Sequence, residues 1–461
     1  MIHATRCTKR IQRKTVNHRR QNSHYLDIFN LITSNALFDR IESLLPEHRE
    51  RLFPPTETLS MFITQTLSAD RSCQNIVNQA AIQRLTSSLP TCSTHTGGYC
   101  RARQRLPLDM IRELTGYLGN QLHQQTPTEW RWHGHQVKIV DGTTVTMPDT
   151  PSNQASYPQQ GGQAPGLGFP ICRMVGITCL ASGALLNAAI GRYKGKGADE
   201  LTLLRSVQAS FQSGDIILGD AIYATYFFIA EMQQAGVDIL MEQHGMRKRS
   251  TDFRRGQRLG ERDHVIDLSK PKFKPHWMSA KHYQAAPDSI RLREFKAGGK
   301  IMVTTMTCPR AHPKAALKQL YQKRWSVELD IRDIKATMGM NVLSCKSSDM
   351  ILKEIWTYML AYNLIRLTMM QSALLVGILP RSISFKHCLQ LWLSSIQRTD
   401  PVDLMHLTGF LQLISQKRVS LRPGRIEPRA VKRRPKQNPL LTIPRDLARQ
   451  QLKSKYLSRA A

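Results

Sequence analysis

Apolar residues recur every three or four positions through residues 25–125. Leu26, Ile28, Phe29, Leu31 and Ile32 are one such series, Met110, Ile111, Leu114 and Leu118 another, and the spacing predicts helices. Pro54, Pro55, Pro90 and Pro107 cut the region into short pieces, and residues 94–98 read as a loop. From residue 137 the pattern turns to β-branched runs. Residues 137–147 read as a strand carrying Asp141 just before Gly142, and 171–180 and 184–193 as two more, joined by a turn at Ala181, Ser182 and Gly183. Between them, the Gly-, Pro- and Gln-rich stretch 148–168 is expected to be a mobile loop. A helix is expected over about 198–211, its acidic Asp199 and Glu200 suiting the positive end of a helix dipole. A short apolar run then delivers Asp220 at the exit of a buried strand, followed by a helix over 223–236 that closes on Gly236 and a strand over 237–241. Strand, carboxylate, helix, strand is the rhythm of an α/β core, in which functional residues collect at strand ends. Residues 245–310 interrupt it with a basic, strand-prone insert that turns at Gly298 and Gly299.

The pattern is most informative over 320–335, which reads as one amphipathic helix free of Gly and Pro. At about 100° per residue, Tyr321, Arg324, Glu328 and Lys335 project within roughly 60° of one another. Each has an ordinary alternative. Asp141 is also a natural turn residue, Asp220 a natural helix cap, and Glu328 a natural partner for Arg324 or Arg332. The most apolar stretch, 355–379, contains Asn363, Arg366 and Gln371 and is read as a buried helix, not a membrane crossing.

Charge narrows the class of partner. The 461 residues hold 65 Lys and Arg against 34 Asp and Glu, a net charge of +31, which points to a polyanion such as a phosphate backbone. Residues 1–20 carry seven basic residues and no acidic one, and residues 417–461 carry fourteen basic and two acidic, so more than half of the net charge lies at the two ends. Prolines at 423, 428, 435, 439 and 444 favour an extended strap in the tail. No apolar segment follows the basic opening residues, so no signal peptide is expected. Nine cysteines without CxxC pairing suit a reducing cytoplasm. Cys92, His95 and Cys100 lack a fourth zinc ligand at useful spacing. Arg101, Arg103 and Arg105 fit either a DNA-contacting helical unit or a solvated rim of a packing domain.

Asp141, Asp220 and Glu328 become one set if the fold brings them together. Convergent carboxylates repel one another unless a cation neutralises them. Mg²⁺, with Mn²⁺ as substitute, is the natural occupant, because it is held by one or two carboxylates plus phosphate oxygens and supports in-line displacement at phosphorus.

Tyr321, Arg324, Glu328 and Lys335, spaced Y-(2)-R-(3)-E-(6)-K, resemble the signature of the IS4 family of bacterial DDE transposases. Val140 to Thr144 around the first Asp, Leu218 to Ala221 around the second, and residues 361–366 and 422–436 are similar to family sequence as well. The likeness covers roughly 137–436, with spacings of 79 and 108 residues between the three acids. It implies an α/β fold with an RNase H-like catalytic core and a β-rich insertion. Asp141, Asp220 and Glu328 would bind the metals, Tyr321, Arg324 and Lys335 would hold phosphates of the element's end, and Trp277 would stack on an extruded base or else pack the insert. The expected layout is a basic leader (1–24), a helical N-terminal domain (25–130), the first part of the catalytic core (131–244), the insertion (245–310), the catalytic helix with C-terminal helices (311–415) and a basic tail (416–461). The implied activity is cut-and-paste transposition on double-stranded DNA by a homodimer, in the bacterial cytoplasm at the nucleoid. An inactive DNA-binding remnant or regulator, or a nuclease that hydrolyses without joining, remains open at this stage.

Overall fold

The computed structural model describes residues 40, 43–45, 52–86, 91–247, 250–396, 404–419 and 440–460. The basic leader, the stretch 26–32 and the segment 422–436 lie outside the described residues.

Nine strands form one sheet: β1 (Val137–Thr146), β2 (Ile171–Cys179), β3 (Leu185–Arg192), β4 (Ile216–Gly219), β5 (Asp238–Glu242), β6 (Gln257–Gly260), β7 (Asp263–Ser269), β8 (Ser289–Ala297) and β9 (Lys300–Thr304). Their spatial order is β3-β2-β1-β4-β5-β9-β8-β7-β6. The antiparallel β1–β2–β3 meander and the parallel additions of β4 and β5 give the 3-2-1-4-5 half its RNase H-like layout. The strand-prone insert was legible as β structure, but it is not a separate sheet. β9 pairs antiparallel with β5, and the insert's strands continue the central sheet at that edge. Gly298 and Gly299, with φ of 56° and 82°, make the β8–β9 turn at angles that only glycine adopts freely.

Alternation along the strands divides the core. Val137, Ile139, Leu218 and Leu240 face one side, against Leu317, Leu320 and Val327. Val140, Ile217 and Ile239 face the other, against Leu203, Leu204, Phe227 and Phe228.

Among the described residues, α1 (Pro55–Leu67), α2 (Cys73–Thr86), α3 (Gly97–Arg105) and α4 (Leu108–Gln124) precede the sheet. The stretch expected to be a loop holds α5 (Pro151–Ser156), because Thr150 caps it by accepting from the Asn153 N–H and Pro151 is pre-set for a first helical turn. The expected helix over 198–211 is shorter, α6 (Glu200–Ser206) followed by a 3₁₀ turn at Gln208–Ser210. Next come α7 (Tyr226–Gln234) and α8 (Ala280–Ala285).

The segment read as one regular helix is continuous in direction but changes pitch. α9 (Lys314–Gln322) tightens to 3₁₀ at Lys323–Trp325, resumes as α10 (Ser326–Arg332), then widens to a π turn at Asp333–Thr337. Such turns occur where a side chain must be re-aimed. Here the widened turn lets Lys335 reach across to the end of β1. The buried-helix expectation corresponds to α11 (Ser348–Val376), ended by Gly377 in the left-handed conformation. Among the described residues it is the one helix long and apolar enough to cross a membrane, yet most of its apolar stretch is buried against other helices, including α1 and α4. α12 (Phe385–Ile396) and α13 (Leu404–Gln416) pack beside it. The tail is not extended throughout, since α14 (Arg445–Ala460) is helical beyond the last of its prolines.

Candidate active site at the end of the central strands

β1 and β4 run parallel with Val137 beside Ile216 and Ile139 beside Leu218. Carrying that register two residues further brings Asp141 level with Asp220. Both follow a core residue of the same face by two positions, so both point toward the side covered by α9 and α10. Asp220 follows directly on the end of β4 at Gly219, whereas β1 continues, paired with β2, to Thr146, so Asp141 lies within its strand and not at its end as the apolar run suggested. Glu328 follows Val327, which is buried in that core, and α10 packs against β1.

The ordinary roles weighed for these acids are present but partial. Asp141 Oδ1 accepts from the Gly142 N–H at 2.9 Å and Asp220 Oδ1 from the Ile222 N–H at 3.0 Å. Glu328 Oε1 accepts from Arg324 Nη2 at 3.1 Å. Among the described residues the other oxygen of each makes no hydrogen bond. The three feel one another's charge. Burial pushes the Asp141 carboxyl up to about 6; the Gly142 N–H and Arg324 pull the other way, while Asp220 and Glu328 add to the rise. Burial works against the Arg324 charge, but Tyr321, Asp141 and Glu328 outweigh it and hold its pKa above the usual guanidinium value. Burial also raises the Tyr321 hydroxyl, to about 12, with Arg324 opposing and Glu242 and Asp220 adding.

Lys335 donates from Nζ to Thr143 Oγ1 at 3.1 Å and to the Thr144 carbonyl at 2.7 Å. It therefore lies two residues past Asp141 along the same face of β1, and burial lowers the pKa of its ammonium. Tyr321, Arg324, Glu328 and Lys335 thus lie over the same face of the sheet as the two aspartates. Trp277 does not join them. Its ring, 48% exposed, has the Arg205 guanidinium 3.7 Å from its centre and the edge of Phe227 against it, on the reverse side of the sheet.

Two supports went unread in the sequence. Asp330, on the opposite flank of α10 from Glu328, is fully buried and accepts from Arg366 Nη2 at 2.8 Å and from Arg381 Nη1 and Nη2 at 2.9 and 2.8 Å. Arg366 also donates to Tyr362 Oη, which donates to the Gly183 carbonyl. Glu200 lies behind Asp141, against Gly142. An arginine inside an apolar helix was the available signal for the first; Glu200 had none beyond its place at a helix start.

The donor set suits a hard divalent ion: three carboxylates, one with raised proton affinity that a cation would relieve. Among the described residues no group of three acidic, His or Cys side chains is assembled closely enough to hold a metal alone.

The transposase DDE-domain family matches residues 132–364, which include all three acids. The transposase InsG for insertion sequence element IS4 of Escherichia coli (strain K12) is 28% identical over 401 residues, 84% of this chain and 87% of that protein. The putative transposase y4zB of Sinorhizobium fredii is 21% identical over 66% of this chain and 81% of its own length. A piggyBac transposase solved as a synaptic complex with hairpin DNA superposes with a TM-score of 0.40 at 9% identity, covering 88% of this chain and 87% of that one.

Proposed function

The chain belongs to the IS4 family of DDE transposases, and we propose that it moves an insertion sequence by cutting both strands at its ends and joining the freed 3′-OH to target DNA. DNA transposition is the family's work. The register that levels Asp141 with Asp220 beneath the Glu328 helix is the observation that carries the proposal for this chain.

In this mechanism Asp141, Asp220 and Glu328 hold Mg²⁺, which when bound supplies activation of the attacking oxygen and stabilisation of the leaving one. The chain's own groups do the rest. Arg324 orients the Glu328 carboxylate through their 3.1 Å contact. Among the described residues its other N–H groups make no hydrogen bond, and they can form the paired donor fork that suits a phosphate. Tyr321 stays a neutral donor, because burial holds its proton. Lys335 exchanges its Thr143 and Thr144 oxygens for a phosphate of the element's end. The basic excess supplies salt-sensitive affinity along the flanking duplex. Terminal inverted repeats are the recognised sequence, a homodimer pairs the two ends, and the work takes place at the nucleoid.

The test is cleavage of DNA carrying the element's own ends, with Mg²⁺, by wild type and Glu328→Ala. End-specific nicking that disappears in the variant while DNA binding persists is expected. Equal cleavage by both would remove Glu328 from the chemistry. Binding without cleavage by either would leave an inactive DNA-binding protein, and cleavage without joining a nuclease.

A further inference from the structure

A fourth carboxylate stands behind the site. Glu200 opens α6, yet its side chain is not the helix cap: Asp199 accepts from the Thr202 N–H in that role. The Glu200 carboxyl group lies instead against β1 at the residue after Asp141. A Cβ on Gly142 would come within 2.3 Å of its Cδ and Oε2, so any larger residue there would displace the Glu200 carboxyl group. Glu200 Oε2 accepts from Tyr223 Oη at 3.1 Å, and its Oε1 lies 3.8 Å from Arg173 Nε on β2.

Tyr223 is fully buried and follows Asp220 by three residues. Its ring lies close against Gly219, the last residue of β4, where a Cβ would be 3.2 Å from Tyr223 Cδ2. Burial, with Glu200, Asp141 and Asp220 adding, holds the phenol's proton far above the usual range, so the hydroxyl remains a donor. One carboxylate therefore links the middle of β1, at Gly142, to the turn that carries Asp220.

We propose that Glu200 and Tyr223 are a positioning pair that keeps the Asp220 turn level with Asp141, so that the two aspartates share one divalent cation. The role rests on the metal-dependent reading above. Neither residue touches the reacting phosphate, and their effect is on how well the aspartates are aligned.

The experiment is Mn²⁺ binding to the purified full-length protein, followed by electron paramagnetic resonance, with urea unfolding in chelator as a check on the fold. Outer partners of metal ligands typically contribute roughly 10–100-fold in affinity. Glu200→Ala and Tyr223→Phe are each expected to weaken Mn²⁺ by that factor, and the double variant no further, because the two act as a unit. Glu200→Gln, whose amide oxygen still accepts from Tyr223, is expected to retain most of the affinity. Wild-type affinity in Tyr223→Phe, which removes one oxygen and leaves the packing, overturns the pair, as do additive losses. Loss in Glu200→Gln equal to that in Glu200→Ala makes the charge itself decisive and overturns positioning. Absence of Mn²⁺ binding in the wild type strikes the metal reading instead, so the two failures are distinguishable.

Discussion

Two residues apart on α10, Glu328 and Asp330 are the same kind of group in opposite settings. Asp330 has no exposed surface and both oxygens engaged by Arg366 and Arg381. Arg381 also donates to the Leu180 and Cys179 carbonyls at the end of β2, so the cluster fastens α10 to α11 and to the β2–β3 turn. Glu328 is 36% exposed, has one partner and faces two more carboxylates. The buried flank spends its electrostatics on holding the helix still; the open flank leaves charge unsatisfied where a cation and phosphates can satisfy it. A short helix can present a reactive acid only if something else prevents it from rolling away from like charge, and here the anchor is two residues on.

That contrast breaks most sharply at Glu328→Ala. Cleavage is expected to fall below detection while urea stability stays within about 0.5 kcal/mol of wild type; a large loss of stability would mean that Glu328 is structural. Asp330→Ala should do the reverse in kind. It strands the buried Arg366 guanidinium and removes a partner of the partly buried Arg381, and breaking such clusters costs about 3–5 kcal/mol, read as a lower urea midpoint. A midpoint unchanged in that variant would dissolve the comparison.

Asp141→Asn sharpens it through pH. The folded pKa of Asp141 is about 6, against about 3.9 in an unfolded chain. The native state therefore binds more protons between these values, and this group's contribution to stability declines as pH rises from about 4 to about 6. Without divalent ions, Asp141→Asn should be more stable than wild type at pH 7.5 by on the order of 2 kcal/mol. The gain should vanish near pH 3.5. A gain of equal size at both values would assign it to packing instead of charge.

Lys335→Gln is a smaller change. Losing the charged bond to the Thr144 carbonyl is expected to cost about 1–2 kcal/mol in urea unfolding, and an unchanged stability would show that the π turn holds itself. Trp277→Ala is expected to leave first-strand nicking as it is, because the ring packs on the reverse of the sheet with Arg205 and Phe227. A defect confined to hairpin formation would instead give its exposed surface to an extruded base.

How much of this was legible in the sequence varies with the range of the interaction concerned. The β-branched runs ending in Asp141 and Asp220, the Gly298–Gly299 turn and the buried α11 could all be read locally, since period and punctuation are local properties. The pitch changes on either side of α10 could not. Neither Lys323–Trp325 nor Asp333–Thr337 contains a breaker, and Lys335 and Asp333 within the widened turn find partners far away in the chain. The short helix α5 was hidden by its loop-like composition, although Thr150 and Pro151 are ordinary start signals.

By itself the sequence determined the types and order of the elements, the acids that close the apolar runs of two central strands, and the spacing of Tyr321, Arg324, Glu328 and Lys335 on a helical segment. It did so because side-chain period and turn chemistry are written into neighbouring residues. Only the tertiary structure decided that β1 and β4 pair in a register that levels Asp141 with Asp220, that the insert extends the same sheet, and that Glu200 and Asp330 hold the site from behind. Those depend on contacts between residues far apart in the chain, whose geometry is set by packing across the sheet and not by any local pattern.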